Sequence, residues 1–252
     1  TMAFDACRFI TEEIKAKLRS NGASFILSFM DENSKPDERW HTGHTIMRQN
    51  YVFLLEKVLS NKNIGIIFKP KNPLDLRERL GPAAEMLKKA EATGRCHIFE
   101  RGTLLGSYPP AVAALACDLT IHGHLCGATA GIESALSGVP TILMDREGWP
   151  ISKLYGLGKD RVVFTGWDDA WKAVEEKIKN PKSEIGVWPE YFLNEMDPFR
   201  DGRAAERIGN YLEWLMEGFK ANLPREAVLA DAAERYIKLW GADKISAVGR
   251  SA

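Results

Sequence analysis

The stretch Cys117-Asp118-Leu119-Thr120-Ile121-His122-Gly123-His124-Leu125-Cys126-Gly127-Ala128-Thr129-Ala130-Gly131-Ile132-Glu133-Ser134-Ala135-Leu136-Ser137-Gly138-Val139-Pro140-Thr141-Ile142-Leu143-Met144-Asp145 decides the fold. It reads as strand, polar loop, helix, turn, strand. Residues 118–121 are a short run with β-branched members leading into Gly123. After a small, hydroxylated segment, Ile132, Ala135 and Leu136 recur at helical spacing. Gly138 and Pro140 stand where a glycine past the last turn and a following proline end a helix. Residues 139–144 form a second apolar strand.

The chemistry of this stretch lies at the helix start. The first N–H groups of a helix have no partner within it, and the dipole adds partial positive charge there. Thr129 is placed to cap, and Gly127, Ala128, Ala130 and Gly131 are small enough to let an anion reach the backbone. Phosphate or diphosphate is the anion such a site holds most often. Glu133, about one turn on, can accept from a ribose hydroxyl. The same residues also describe a capped helix between two strands with no ligand, so the rest of the chain must decide.

Working outward, helices and strands alternate. Residues 5–20 form an amphipathic helix with Phe9, Ile10, Ile14 and Leu18 on one stripe. Strand 24–30 leads into the charged loop 31–44, read as exposed and mobile. Helix 45–60, strand 63–68, helix 74–92 and strand 96–99 follow, then a short helix at 109–116 begun by Pro109-Pro110. After the central stretch come a helical turn at 151–155, strand 161–165 and a helix from 168 to 179, with Asp168 or Asp169 as cap. This pattern predicts an α/β, Rossmann-like three-layer domain with a mostly parallel six-stranded sheet over residues 1–180. Beyond residue 180 alternation stops. Residues 187–194 are aromatic without clear periodicity, and helices at 204–219 and 224–240 make residues 181–252 a helical C-terminal extension packing on that domain.

Ligands of such sheets bind outside the carboxyl ends of the strands. The loops 31–44, 69–73, 100–107, 122–129, 145–149 and 166–167 gather there, and they hold most of the unusual polar residues. Lys69 and Lys71 flank Pro70 at one strand end and suit a diphosphate or a sugar acid. His122 and His124 precede the helix start and read as nucleotide contacts or loop packing; two histidines at i, i+2 with no third ligand do not make a metal site. Asp145 closes the following strand on the same edge. Asp31 and Glu32 read as loop caps. Arg200, Arg203 and Arg207, with Asp201 and Glu206 between them, read as a capped helix with local ion pairs.

Composition narrows the classes. The 252 residues carry 34 Lys+Arg against 34 Asp+Glu, so net charge is zero and gives no bulk attraction to nucleic acid or anionic membrane. No apolar run reaches the roughly 18 residues of a membrane span, and the amino-terminal segment has no signal-peptide core. The four cysteines, Cys7, Cys96, Cys117 and Cys126, have neither zinc nor disulfide spacing; a reduced, cytoplasmic setting follows. Gly-x-Gly-x-x-Gly, the Walker loop and the Gly-x-Ser-x-Gly elbow are all missing, against a dehydrogenase, a P-loop NTPase or an α/β-hydrolase.

The run 117–142 resembles the nucleotide-sugar half of GT-B glycosyltransferases and the equivalent part of nucleotide-sugar 2-epimerases. Ile66-Phe68-Lys69-Pro70-Lys71 resembles a strand and basic turn of bacterial surface-polysaccharide (capsule) transferases. Asp197-Pro198-Phe199-Arg200-Asp201-Gly202-Arg203-Ala204-Ala205-Glu206-Arg207-Ile208 is similar to a C-terminal segment of the same group. The resemblance spans about residues 20–220. It implies that Thr129, Ala130 and Gly131 hold phosphate and Glu133 the ribose of a nucleotide-sugar donor, that a glycan is the acceptor, and that no cofactor or metal is required. Membrane contact would be peripheral at most. It also implies a second, N-terminal Rossmann-like acceptor domain for which this chain has no room, so that the chain alone would be inactive and its catalytic base unassigned. A 2-epimerase-like enzyme and a non-catalytic binding module are the alternatives.

Overall fold

A strand buried on both faces needs apolar side chains on both, and this chain supplies them. Phe25–Met30 (β1) and Ile64–Lys69 (β2) are buried along almost their whole length. The computed structural model describes residues 2–39, 42–100 and 108–244, with side chains from 8 to 243. Its sheet has six strands, all parallel. Cys96–Ile98 (β3), Leu119–His122 (β4), Thr141–Met144 (β5) and Val163–Phe164 (β6) complete it in the order β3-β2-β1-β4-β5-β6. The order reverses between β1 and β4, which opens a crevice at their carboxyl ends.

Alternation along the strands sorts side chains between two helix layers. Leu27, Phe29, Ile66, Phe68, Leu119, Ile121, Ile142 and Met144 face His44–Ser60 (α2), Leu76–Leu80 (α3), Ala83–Ala92 (α4) and Trp167–Lys179 (α7). Ile26, Met30, Ile67 and Leu143 face the other way. There lie Met2–Ser20 (α1), Pro110–Leu115 (α5) and Thr129–Leu136 (α6). On that side the hydroxyls of Ser28 and Thr120 satisfy each other across β1 and β4 at 2.9 Å. At the amino edge of the sheet the polar groups have structural work. Asp118 accepts the Ile26 N–H and two hydrogen bonds from the Arg19 guanidinium, which also donates to the Ala23 carbonyl, and Arg95 donates to the carbonyls of Val58, Asn61 and Ile64.

Several local expectations change. The single helix expected over 74–92 is two, because Gly81 adopts φ 56° and Pro82 lacks an N–H to continue the ladder. Phe9 is exposed, while Ile14 and Leu18 carry the packing of α1. Gly166, not Asp168 or Asp169, is the cap of α7; the two aspartates occupy its first turn. The loop 31–44 is tied to itself by Lys35 N–H to the Thr42 carbonyl, His44 N–H to the Lys35 carbonyl, and Thr42 hydroxyl to the Asn33 carbonyl. Residues 40–41 of that loop, and 101–107 of the loop expected at 100–107, lie outside the described residues. So does the side chain of Cys7.

The chain divides into two compact units, residues 2–193 and residues from 194 onward. Residues 186–188 belong to the first. Thr141 N–H donates to the Gly186 carbonyl, and the Trp188 indole donates to the Thr141 carbonyl. The aromatic segment expected to lack periodicity contains a short helix, Glu190–Met196 (α8), with no buried residue. In the second unit Ala204–Lys220 (α9) and Arg225–Trp240 (α10) form a hairpin. Its inner contacts are Tyr211 on Tyr236, Trp214 on Trp240 and Gly218 on Val228. The turn before it is built as expected from local pairs, Arg203 with Glu206 and Arg207 with Asp201; Arg207 also lies over the Phe199 ring. No helix among the described residues is long and apolar enough to cross a membrane.

Candidate functional site

At the crevice where the strand order reverses, the carboxyl ends of β1 and β2 meet the amino ends of α5 and α6 around a cleft of about 400 Å³. This is within the size range of small-molecule sites. Five of the residues expected at a site line it together: Lys69, Lys71, Thr129, Ala130 and Glu133. Asp31 and Glu32 join them from the end of β1, and Tyr108, Pro109 and Pro110 form an apolar wall.

The start of α6 is bare. Its cap position is Ala128, which has no side-chain acceptor, and Thr129 is the first helical residue, exposed at the cleft. Thr129 is therefore not the cap the sequence suggested. The helix depends on an outside group to satisfy its first N–H groups. Gly131 does not meet the cleft. A side chain there would meet Leu143 at 2.8 Å and His122 at 3.4 Å, so its lack of one lets α6 lie on the sheet. Gly127 serves a close approach of another kind, since the Glu32 carboxylate occupies the space a side chain there would need. Ala128 is buried among Leu125, Ala135 and Leu143.

The two lysines differ. Lys69 is 7% exposed, and its ammonium group lies 3.3 Å from the Pro70 carbonyl. Burial lowers its pKa, while Asp31 and Glu133 draw it back up. Lys71 extends into solvent, and its ammonium group sits 2.5 Å from Glu32. Its backbone N–H donates to Asp31 at 2.8 Å, and the Tyr51 hydroxyl donates to the other Asp31 oxygen at 2.9 Å. Burial dominates the Asp31 carboxyl and raises its pKa despite these donors and the nearby Arg79 and His124. Glu133 has a structural partner that its sequence position does not suggest: it accepts the Ala111 N–H at 3.0 Å and so fixes α5 to α6 while lining the cleft.

His122, His124 and Asp145 are not on the cleft wall. His122 is fully buried and donates from Nδ1 to the His124 carbonyl at 2.6 Å. Burial pushes its pKa down to about 4, so the ring is neutral. His124 is buried against Glu147, 3.7 Å away. Glu147 organises the loop before α6. It accepts the N–H groups of Leu125 and Cys126 at 2.9 Å and that of Arg146 at 3.1 Å. Burial alone would raise its carboxyl; the His124 ring and the Cys126 N–H outweigh that and hold it at about 2. No spacing in the sequence marks Glu147, because its partners lie about twenty residues earlier. Asp145 accepts the Trp149 N–H and, at 2.6 Å, the Tyr155 hydroxyl, and so shapes the loop after β5. That loop borders a second cleft of about 390 Å³, lined in part by Thr129, Ile132, Trp149 and Ser152. The bare end of α6 thus stands between two clefts and borders both. No group of three or more metal-ligating side chains occurs among the described residues.

No family model matches the chain, and no curated protein matches it. Solved structures do. The chain is similar to the structure of S. aureus MnaA with UDP, at 13% identity and a TM-score of 0.50 over 81% of this chain and 48% of that one. It is also similar to a putative UDP-N-acetylglucosamine 2-epimerase from Listeria monocytogenes, at 16% identity and a TM-score of 0.49 over 82% of this chain and 48% of that one. The chain spans about half the length of the structures it matches. At these identities the likeness extends to the fold alone, a Rossmann-like α/β domain.

Proposed function

We propose that this sheet domain binds a nucleotide sugar, with the diphosphate lying across the bare amino end of α6. The observation that carries the reading is that one cleft gathers this uncapped helix start, Lys69, Lys71 and Glu133 at the strand-order reversal. The oriented N–H groups and the two cations offer a preformed anion site. A ribose hydroxyl can donate to the Glu133 carboxylate beside its bond to Ala111.

The chemistry such a site supports is departure of the diphosphate. The bond between the sugar's anomeric carbon and the diphosphate oxygen breaks, and its electron pair leaves with that oxygen. The helix dipole and Lys69 stabilise the charge that develops, in a partly dried cleft where such contacts weigh more than in water. In our reading the domain is the donor half of a glycosyltransferase of bacterial polysaccharide synthesis: a glycan hydroxyl oxygen bonds to the anomeric carbon as the diphosphate leaves, and its proton passes to a base on the acceptor side. A further Rossmann-like domain would hold the acceptor in line, since that positioning is a large part of the rate. A nucleotide-sugar 2-epimerase fits about as well, because the same anion site would hold the diphosphate in either reaction; the matched S. aureus structure is a complex with UDP. That reaction removes and returns a proton at the sugar carbon next to the anomeric centre and needs carboxylates facing it.

Calorimetry with UDP, CDP, CMP and GDP tests the common claim. Binding of one of them at micromolar to millimolar concentration is expected; no binding by any of them at millimolar concentration rejects both enzymes. The choice between the two follows from incubating the chain, with and without an added N-terminal Rossmann-like domain, with the donor that binds. Appearance of the 2-epimer by proton NMR favours the epimerase, and transfer to a glycan favours the transferase.

A further inference from the structure

The α9–α10 hairpin has a second apolar face that its own partner helix does not use. Tyr211, Trp214 and Gly218 turn toward α10. Ile208, Leu212, Met216 and Phe219 follow at spacings of four, four and three along another side of α9, and Leu223 lies in the turn just past its end; all five are 49–62% exposed. That spacing is the seam of a helix that packs lengthwise on another helix. An exposed contiguous apolar stripe of this kind marks an interaction surface.

The charges beside the stripe choose the occupant. Glu213 and Lys220 each follow a stripe residue by one position, Leu212 and Phe219, so both lie along the same edge. If a second copy of α9 lies antiparallel across the stripe, Met216 meets the second copy's Phe219, and Leu212 comes level with Leu223 in the turn past its end. The two-fold axis repeats both contacts. In that register Glu213 lies within two residues of level with the second copy's Lys220, and the axis repeats this pair too. The stripe is therefore self-complementary in both shape and charge, as an isologous contact requires. A membrane surface would instead call for a basic rim, and α9 carries Glu206, Glu213 and Glu217 against Arg207 and Lys220. We infer that the chain forms a two-fold dimer through antiparallel pairing of α9 with α9 of a second copy.

Sedimentation equilibrium of the full chain tests this. A dimer is expected at micromolar concentration. Leu212→Glu should make it monomeric without changing its circular dichroism. Glu213→Lys and Lys220→Glu should each raise the dimer dissociation constant several-fold, because like charges then face each other. The double exchange Glu213→Lys/Lys220→Glu should restore the wild-type value. A monomeric wild type at high micromolar concentration would overturn the inference, whether the stripe is then covered by the same chain or by lipid. So would a dimer indifferent to Leu212→Glu, or a double exchange that fails to restore association.

Discussion

Lys71 and Glu32 form an ion pair at 2.5 Å on the rim of the cleft, so an arriving phosphate competes with a carboxylate for that lysine. An exposed pair of this kind is worth at most about 1 kcal/mol, and the competition is mild. Lys69 is buried, and a charge-assisted contact there is worth roughly 1.5–3 kcal/mol. Lys69→Met should therefore raise the nucleotide dissociation constant about tenfold or more, and Lys71→Ala by a smaller factor. Glu32→Gln should lower it. Titration calorimetry of the three variants measures all of this, and added salt should weaken the wild-type complex. A second prediction at this scale comes from His122. Its pKa is lowered from 6.5 to about 4 by burial, so between these values the unfolded chain binds a proton that the folded chain refuses. The His122 contribution is fully present above pH 6.5 and is lost as pH falls toward 4, to an upper limit of about 3 kcal/mol. Asp31 works in the opposite direction, because its raised pKa makes the fold hold that proton more tightly. His122→Asn, which keeps a donor for the His124 carbonyl, should flatten the acid loss in urea unfolding measured from pH 7 to 4. An unchanged slope would assign that loss to other groups.

Helix α6 is where the stability of an element and its function separate. Thr129→Asp places a carboxylate in the exposed first turn, which should leave the helix unchanged or stabilise it by about 0.3–1 kcal/mol, yet repel a phosphate. Gly131→Val does the reverse. Its side chain would push against Leu143 and His122, and overpacking of this kind costs about 1–3 kcal/mol. Thermal unfolding and nucleotide titration of both variants separate the two roles. Legibility in the sequence follows the same line. The type and order of most elements are readable from apolar periodicity, because each is decided within its own few residues. The break between α3 and α4 was signalled by Gly81-Pro82, yet the helical periodicity on either side hides it. Helix α8 spans only Glu190–Met196, too few residues for a 3.6-residue apolar period to stand out.

For the whole molecule, the order of the strands is what makes five distant residues into one site. Lys69, Lys71, Thr129, Ala130 and Glu133 come from the carboxyl end of β2 and the first turns of α6, some sixty residues apart, and only the reversal between β1 and β4 brings them to one cleft. The parallel sheet and its polar carboxyl edge are legible in the sequence, so these residues could be named as candidates. What each one touches is not legible, because Glu147 with Leu125, Glu133 with Ala111 and Arg79 with Ser34 pair across 22, 22 and 45 residues. For this reason His122, His124 and Asp145 look like site residues in the chain and are loop supports in the fold. The central claim is that a diphosphate lies across the start of α6. Titrating the full wild-type chain and its Thr129→Asp variant with the nucleoside diphosphate that binds and with its parent nucleoside tests it most directly. The account predicts that the wild type prefers the diphosphate by at least about tenfold, or 1.4 kcal/mol, and that Thr129→Asp abolishes this preference with no loss of thermal stability. Equal affinity of the wild type for the diphosphate and the nucleoside, or an undiminished preference in the variant, would contradict it.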